Sequence, residues 1–239
     1  MSSGEVLVIV RDAVKTYQAL RPLRIQALTI ARGDVVSLMG LDAAAAEMLI
    51  GLVTGAVLPD SGEIRVFGQS TREVSDSDAW LAMLDGVGIL TDRAVLIAQF
   101  SAEQNIAMPF TLAIDPVRDD VRPQVAALAA EVGLTADELT QRVAEARPEV
   151  RARVRLARAL ALNPSLLLIE HPSATLPRES VKPFAIDVAR AAESRTLAVL
   201  AVTADDVFAA ALGGQILTHE PATGALHPQT MWRKLFKRS

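Results

Sequence analysis

The 239-residue chain contains no cysteine, which excludes disulfides, thiolate metal sites and cysteine nucleophiles. The absence is compatible with a reducing compartment. Aromatic residues make up only 4%, a poor composition for an all-β sandwich. The three histidines, His171, His219 and His227, are too dispersed for metal-ligand spacing, so no metal cluster is expected. No apolar run reaches the roughly 18 residues that a membrane span needs. The N-terminus, Met1-Ser-Ser-Gly-Glu5, has no basic start and no signal-peptide layout. There is no excess of positive charge: 24 Lys and Arg against 28 Asp and Glu give −4, which argues against a nucleic-acid partner. Neither a G-x-S-x-G elbow nor a G-x-G-x-x-G loop occurs. These absences point to a soluble, cytosolic protein.

What is present is an apolar chain, 51% hydrophobic and 22% charged, weighted toward alanine and leucine and long enough for a sizeable core. Strands are expected at Val6–Val10, from Leu23 to Ile30, at Val35–Met39, at Glu63–Phe67 and at Gly86–Leu90. Between them, Asp42 is a good N-cap for a helix over Ala43–Val53, and Asp76–Leu84 reads as a second helix. From Ala94 to Leu162 the chain is mostly helical, with helices at Gln124–Val132, at Ala136–Ala144 and from Glu149 to Leu162. Strands return at Leu166–Ile169 and Leu197–Thr203, separated by a helix over Val181–Ser194. A short helix over Asp205–Leu212 leads to a terminal hairpin around Glu220-Pro221-Ala222-Thr223-Gly224. Buried strands alternating with helices predict an α/β fold with a mostly parallel sheet covered on both faces.

Ligands of such sheets sit beyond the carboxyl ends of strands, which singles out Val35–Gly40 and the residues after it. Together with Arg32-Gly33-Asp34, Pro59-Asp60-Ser61-Gly62-Glu63 and Gly88-Ile89-Leu90, this segment forms a recognisable layout. The helix Arg153–Leu160, the Asn163-Pro164 break and the strand Leu166–Glu170, followed by His171-Pro172, complete it. In this order the chain resembles the nucleotide-binding subunit of ATP-binding-cassette (ABC) transporters over most of its length. The resemblance implies a P-loop NTPase-like core with an N-terminal antiparallel β portion and an inserted helical subdomain. Its boundaries would be a core lobe at 5–92 and 161–219, a helical subdomain at 93–160, and a hairpin and basic tail at 220–239.

The resemblance also implies ATP with magnesium, and the departures from the family pattern fall on that site. A phosphate loop G-x-x-x-x-G-K-[ST] wraps phosphates in backbone N–H groups, neutralises them with lysine and binds magnesium through the hydroxyl. Here the positions from Gly40 to Met48 read Gly40, Leu41, Asp42, Ala43, Ala44, Ala45, Ala46, Glu47 and Met48, with Ala45 at the second glycine, Ala46 at the lysine and Glu47 at the hydroxyl. Asp42 suits the N-terminus of the following helix, so the protein's own carboxylate is expected partly to fill the anion site. In the family an aspartate at the end of the later strand helps hold magnesium and a glutamate after it polarises water. Those places are Glu170 and His171. The family's glutamine loop maps to Asp92, its switch histidine to Ala204 and the aspartate of its dimer-contact loop to Pro177. Its signature loop maps to Ala146-Arg147-Pro148-Glu149, where proline lacks a donor and Glu149 would repel phosphate.

Tyr17 is either the adenine-stacking aromatic of the family or a packing residue. The tail Met231–Arg238 carries Arg233, Lys234, Lys237 and Arg238 with Trp232 and Phe236, either a contact with an anionic membrane or a solubilising terminus. Ala94–Phe110 lies where the family's subunits grip transmembrane partners, and internal packing explains the same apolar residues. Arg151, Arg153, Arg155 and Arg158 are expected on a helix's polar side, paired with Glu145 and Glu149.

The expectation is a catalytically silent subunit at the inner face of a membrane, partnered by a transmembrane permease and by an active ATPase copy or a second copy of itself. Two other readings stay open: an ATPase using Glu170 and His171 unconventionally, and a stand-alone scaffold.

Overall fold

A computed structural model describes residues 4–229 except Ser75. The basic tail expected beyond Met231 lies outside the described residues.

The first sheet is antiparallel. Strand β1 (Val6–Lys15) is flanked by β2 (Leu23–Ala31) and β4 (Ser61–Val66), and the two-residue β5 (Gln69–Ser70) closes the order β2-β1-β4-β5. β1 runs five residues past the apolar stretch Val6–Val10 because both of its edges are paired, which carries Arg11 and Val14 into the ladder.

The second sheet holds β3 (Val35–Met39), β6 (Val87–Thr91), β7 (Leu166–Glu170), β8 (Ala198–Val202), β9 (Gln215–His219) and β10 (Leu226–Pro228) in the order β10-β9-β3-β8-β7-β6. All its pairs are parallel except the β9–β10 hairpin. Its central strands read as unbroken apolar runs because both faces are covered. Leu167, Ile169, Val199 and Ala201 join one core, while Leu166, Leu168, Leu200 and Val202 join the other.

Helix α1 (Ala43–Val53) lies on the second core, between the parallel sheet and the antiparallel sheet. The peripheral α2 (Ser77–Asp85) precedes β6. On the first core pack α3 (Ala102–Ala107), α4 (Arg122–Glu131), α6 (Pro148–Leu160), α7 (Arg178–Arg195) and α8 (Asp206–Leu212). Gly88 sits in β6 where an added Cβ would stand 2.3 Å from the Ala159 carbonyl oxygen. Only glycine lets α6 approach the sheet that closely.

Several helix limits differ from the sequence expectation, and each has a local cause. The short α5 (Ala136–Thr140) stops because Gln141 is extended and its carbonyl accepts from the Ala102 amide, so Gln141–Ala144 is not helical. α6 ends at Leu160 where Ala161 and Asn163 turn on the last carbonyls, with Asn163 in the left-handed region. α7 begins at Arg178, three residues before the expected start, and tolerates Pro183 inside it. Pro183 is the sixth residue of α7, past the first turn, so its missing N–H removes one i→i−4 bond.

The candidate nucleotide site

The carboxyl end of β3 leads directly into α1. Gly40 turns with φ +88°, a left-handed conformation that a side chain disfavours, and a Cβ there would meet the His219 carbonyl oxygen at 3.0 Å. Asp42 is extended and caps α1: its Oδ1 accepts from the Ala45 amide at 2.8 Å, and its backbone carbonyl accepts from the Ala46 amide at 2.9 Å. Asp42 thus engages the Ala45 and Ala46 amides, two of the donors that the start of α1 presents. Ala43 and Ala44 are exposed on that turn, Ala45 and Ala46 are buried, and Met48 packs half-buried against the second core. The Ala46 side chain is fully buried against that core, so no cation stands at the lysine position.

Tyr17, Gly40, Leu41, Asp42 and Ala45 share the lining of a cavity of about 410 Å³ with His219. Burial raises the Tyr17 hydroxyl above its ordinary value, and the negative charge of Asp42 raises it further. Tyr17 is therefore a neutral, half-buried ring beside a carboxylate. His219 is buried; its Nε2 lies 2.8 Å from the Arg24 carbonyl and its Nδ1 has no hydrogen-bond partner among the described residues. Burial holds its pKa below the ordinary 6.5, against the opposing pull of the Arg24 carbonyl and Glu220. A neutral ring that donates through Nε2 to Arg24 leaves Nδ1 as a bare acceptor.

Arg93 lies between Glu47 and Glu170, the two residues that the resemblance aligns with the family's magnesium-holding positions. One guanidinium nitrogen is 2.5 Å from Glu47 Oε2 and the other is 2.6 Å from Glu170 Oε2. The Glu170 side chain is only 7% exposed, against 63% for Glu47, so the Arg93 bond to Glu170 is the more sheltered of the two. Partial burial opposes the charge on Arg93, but the hydrogen bonds to Glu170 and Glu47 more than offset this and raise its pKa. Arg93 carried no expectation from the sequence. The signal was available: two carboxylates at adjoining site positions call for a cation, and Arg93 follows Asp92 directly. Asp92 itself is half-buried, with its charge near enough to support that of Arg155.

His171 has φ +40°, donates its backbone amide to the Val202 carbonyl and buries an Nε2 with no partner among the described residues. It lines a second cavity of about 420 Å³ with Ala204, Arg178, Thr203, Asp205 and Asp206. Pro177 is the N-cap of α7. At the signature position Ala146 is buried, Arg147 is the N-cap of α6 and Pro148 begins the helix. Glu149 pairs with Arg147 at 3.1 Å and lies favourably at the positive end of the helix dipole. Arg147 also reaches Glu138 at 3.1 Å.

The arginines of α6 do not pair with Glu145 and Glu149 as expected. Arg153 binds Asp187 on α7, Arg151 donates to the Ala146 carbonyl, and Arg155 and Arg158 donate to the Ala94 and Val95 carbonyls. The reason is packing: α6 is flanked by α7 and by the loop after β6, so these side chains face protein. Burial lowers the pKa of both Arg155 and Arg158. Within Ala94–Phe110, Leu96 and Phe110 pack on the first core while Val95 is 78% exposed, so internal packing accounts for only part of the stretch.

These residues do not fit magnesium and a triphosphate. The family's lysine is an alanine sealed in the core, the anion-binding amide of Ala45 is taken by Asp42, and both carboxylates at the metal position are held by Arg93. Among the described residues no cluster of three or more His, Cys, Asp or Glu could hold a metal ion, and no helix is long and apolar enough to cross a membrane.

The comparisons identify the family. The ABC transporter family pattern matches residues 23–174. The lipoprotein-releasing system ATP-binding protein LolD of Psychrobacter arcticus is 27% identical over 190 residues, covering 80% of this chain and 84% of that protein. The methionine import ATP-binding protein MetN of Brucella abortus is 28% identical over 176 residues, 74% of this chain and 47% of its own length. Among solved structures, the dimeric post-hydrolysis state of the ATP-binding cassette MJ0796 bound to ADP and Pi superposes with a TM-score of 0.74 at 20% identity, covering 93% of this chain and 98% of that one. The cbiO1 protein of Clostridium perfringens, part of the ABC transporter complex cbiONQ, gives 0.76 at 16% identity, covering 93% and 87%. With the family pattern spanning residues 23–174, the chain belongs to the ABC transporter family.

Proposed function

We propose that this chain is the ATP-binding-type subunit of a membrane transporter complex, and that it serves the complex structurally or as a regulator without hydrolysing ATP. Its relatives by sequence include ATP-binding proteins of a lipoprotein-releasing system and of methionine import, which supports the transporter setting. The observation that carries the silence is the loop after β3: Asp42 caps α1 at Ala45, and the lysine position is the buried Ala46. A triphosphate there would displace the cap and meet the negative charges of Asp42 and Glu47 with no lysine to offset them. An unconventional ATPase built on Glu170 and His171 is disfavoured, because the Glu170 carboxylate already holds Arg93.

The subunit would be a single cassette with a core lobe at 5–92 and 161–219 and a helical subdomain at 93–160. It would sit at the inner face of the membrane against a transmembrane permease, paired with an active ATPase copy or with itself. Titration of the purified chain with Mg-ATP tests the silence. The expected result is no micromolar binding and no phosphate release; micromolar binding with turnover overturns it. Recovery with a membrane protein from detergent extracts supports the transporter role, whereas a chain always recovered alone favours a scaffold.

A further inference from the structure

The disagreement between this site and its family's ligand has a chemical pattern of its own. Three segments far apart in sequence converge on Arg93: α1 through Glu47, its fifth residue, the end of β7 through Glu170, and the loop after β6 through Arg93 itself. Their separations of 46 and 77 residues make the contact wholly tertiary. In the family pattern the hydroxyl and carboxylate at the positions of Glu47 and Glu170 face a divalent cation. Here both positions carry carboxylates, and a cation of the chain's own bridges them. One turn away, Asp42 supplies an anion to the α1 amide that a phosphate would otherwise take.

We propose that Arg93 is the resident cation of this site and Asp42 its resident anion, so that the chain holds the loop, α1 and β7 together with its own side chains in place of magnesium and phosphate. A planar guanidinium suits this task because its two terminal nitrogens each donate to a different carboxylate. The Glu170 end is sheltered, so loss of the guanidinium leaves a buried carboxylate without its counter-charge. The consequence is an arrangement indifferent to magnesium and nucleotide. The proposal concerns what holds the site together and goes beyond the question of hydrolysis; its failure would leave the proposed silence to be decided by the Mg-ATP titration.

The test is thermal unfolding of the full chain with and without 10 mM MgCl2 or MnCl2, concentrations chosen for the experiment at about the millimolar scale of weak carboxylate sites. The wild-type midpoint is expected to stay within about 1 °C on adding either salt, whereas Arg93→Gln should melt about 3–6 °C lower and regain at least half of that loss with the divalent cation. The double variant Arg93→Gln/Glu170→Gln removes the carboxylate that needs the cation, so it should melt above the single variant and ignore both salts. An Arg93→Gln midpoint equal to wild type, a loss that neither salt relieves, or a wild type stabilised by magnesium overturns the proposal. If Arg93→Gln does not fold without salt, folding on addition of MgCl2 or MnCl2 supports it and continued failure in both overturns it.

Discussion

The Asp42 carboxylate accepts the Ala45 amide hydrogen at 2.8 Å, so the turn between β3 and α1 carries its N-cap within the chain. Ser, Thr, Asn and Asp side chains all satisfy such a donor, and alanine does not. Asp42→Ala should therefore lower unfolding stability by about 1 kcal/mol, while Asp42→Ser should cost less than half of that. Urea unfolding followed by circular dichroism reads both. Equal losses in the two variants would show that the charge, and not the cap, is what α1 requires.

Ala46 governs a second outcome. It is fully buried and its amide donates to the Asp42 carbonyl, so its side-chain direction is set by α1 and the core beneath it. Ala46→Lys forces a long charged side chain into that packing, at a cost of about 1–3 kcal/mol. It should not bring phosphate release, because Asp42 still caps the turn and Arg93 still holds Glu47 and Glu170. A colorimetric phosphate assay beside a urea melt checks this. Turnover in this single variant would mean that the loop reorganises around the new lysine.

The contrast between α1 and Arg93 shows where local pattern suffices. Asp42, a run of good helix formers and Thr54 set both ends of α1, and the continuous apolar runs of β3, β7 and β8 mark strands buried on both faces. Arg93 was legible only indirectly, through the need of two carboxylates for a cation: nothing within ten residues of it names its partners, and Glu47 and Glu170 meet it only once β6 and β7 lie side by side. The arginines of α6 failed for a related reason. Spacing along one helix suggests Glu145 and Glu149, but the contacts belong to α7 and to the 94–95 loop. His219 stands in the sequence only as one of three dispersed histidines, and it is buried once β9 pairs with β3.

Asp187 joins α7 to α6 and is the next residue whose loss should be felt. Its Oδ2 accepts from Arg153 Nε at 2.9 Å and from a terminal nitrogen at 2.7 Å, and its Oδ1 accepts from Arg190 at 3.0 Å. Side-chain exposures of 12% and 17% place the Asp187–Arg153 pair largely out of water. Asp187→Ala leaves Arg153 without its hydrogen-bonded carboxylate, and a loss of about 3 kcal/mol is expected. The pair Asp187→Leu/Arg153→Met should recover most of it, since apolar groups of similar volume replace a buried ion pair at little cost. A double variant no better than Asp187→Ala would mean that Arg190 carries the interaction.

His219 gives the chain a pH response of defined sign. Burial holds its folded-state pKa below the ordinary 6.5, so on acidification the unfolded chain takes up a proton near 6.5 that the folded chain still refuses. The unfolded state binds more protons in that window, and stability therefore rises with pH across it. The contribution is complete above 6.5 and is lost as the pH falls from 6.5 toward the lower folded value. His219→Gln can keep a donor for the Arg24 carbonyl without titrating, whereas His171 and His227 remain as in the wild type. Chemical unfolding at pH 7.5 and pH 5.5 should show a smaller acid loss in His219→Gln than in the wild type. Equal losses in the two chains would remove His219 from the account; carboxylates such as Asp60, held at about 2 by hydrogen bonds from Thr16 and Lys15, titrate only well below this window.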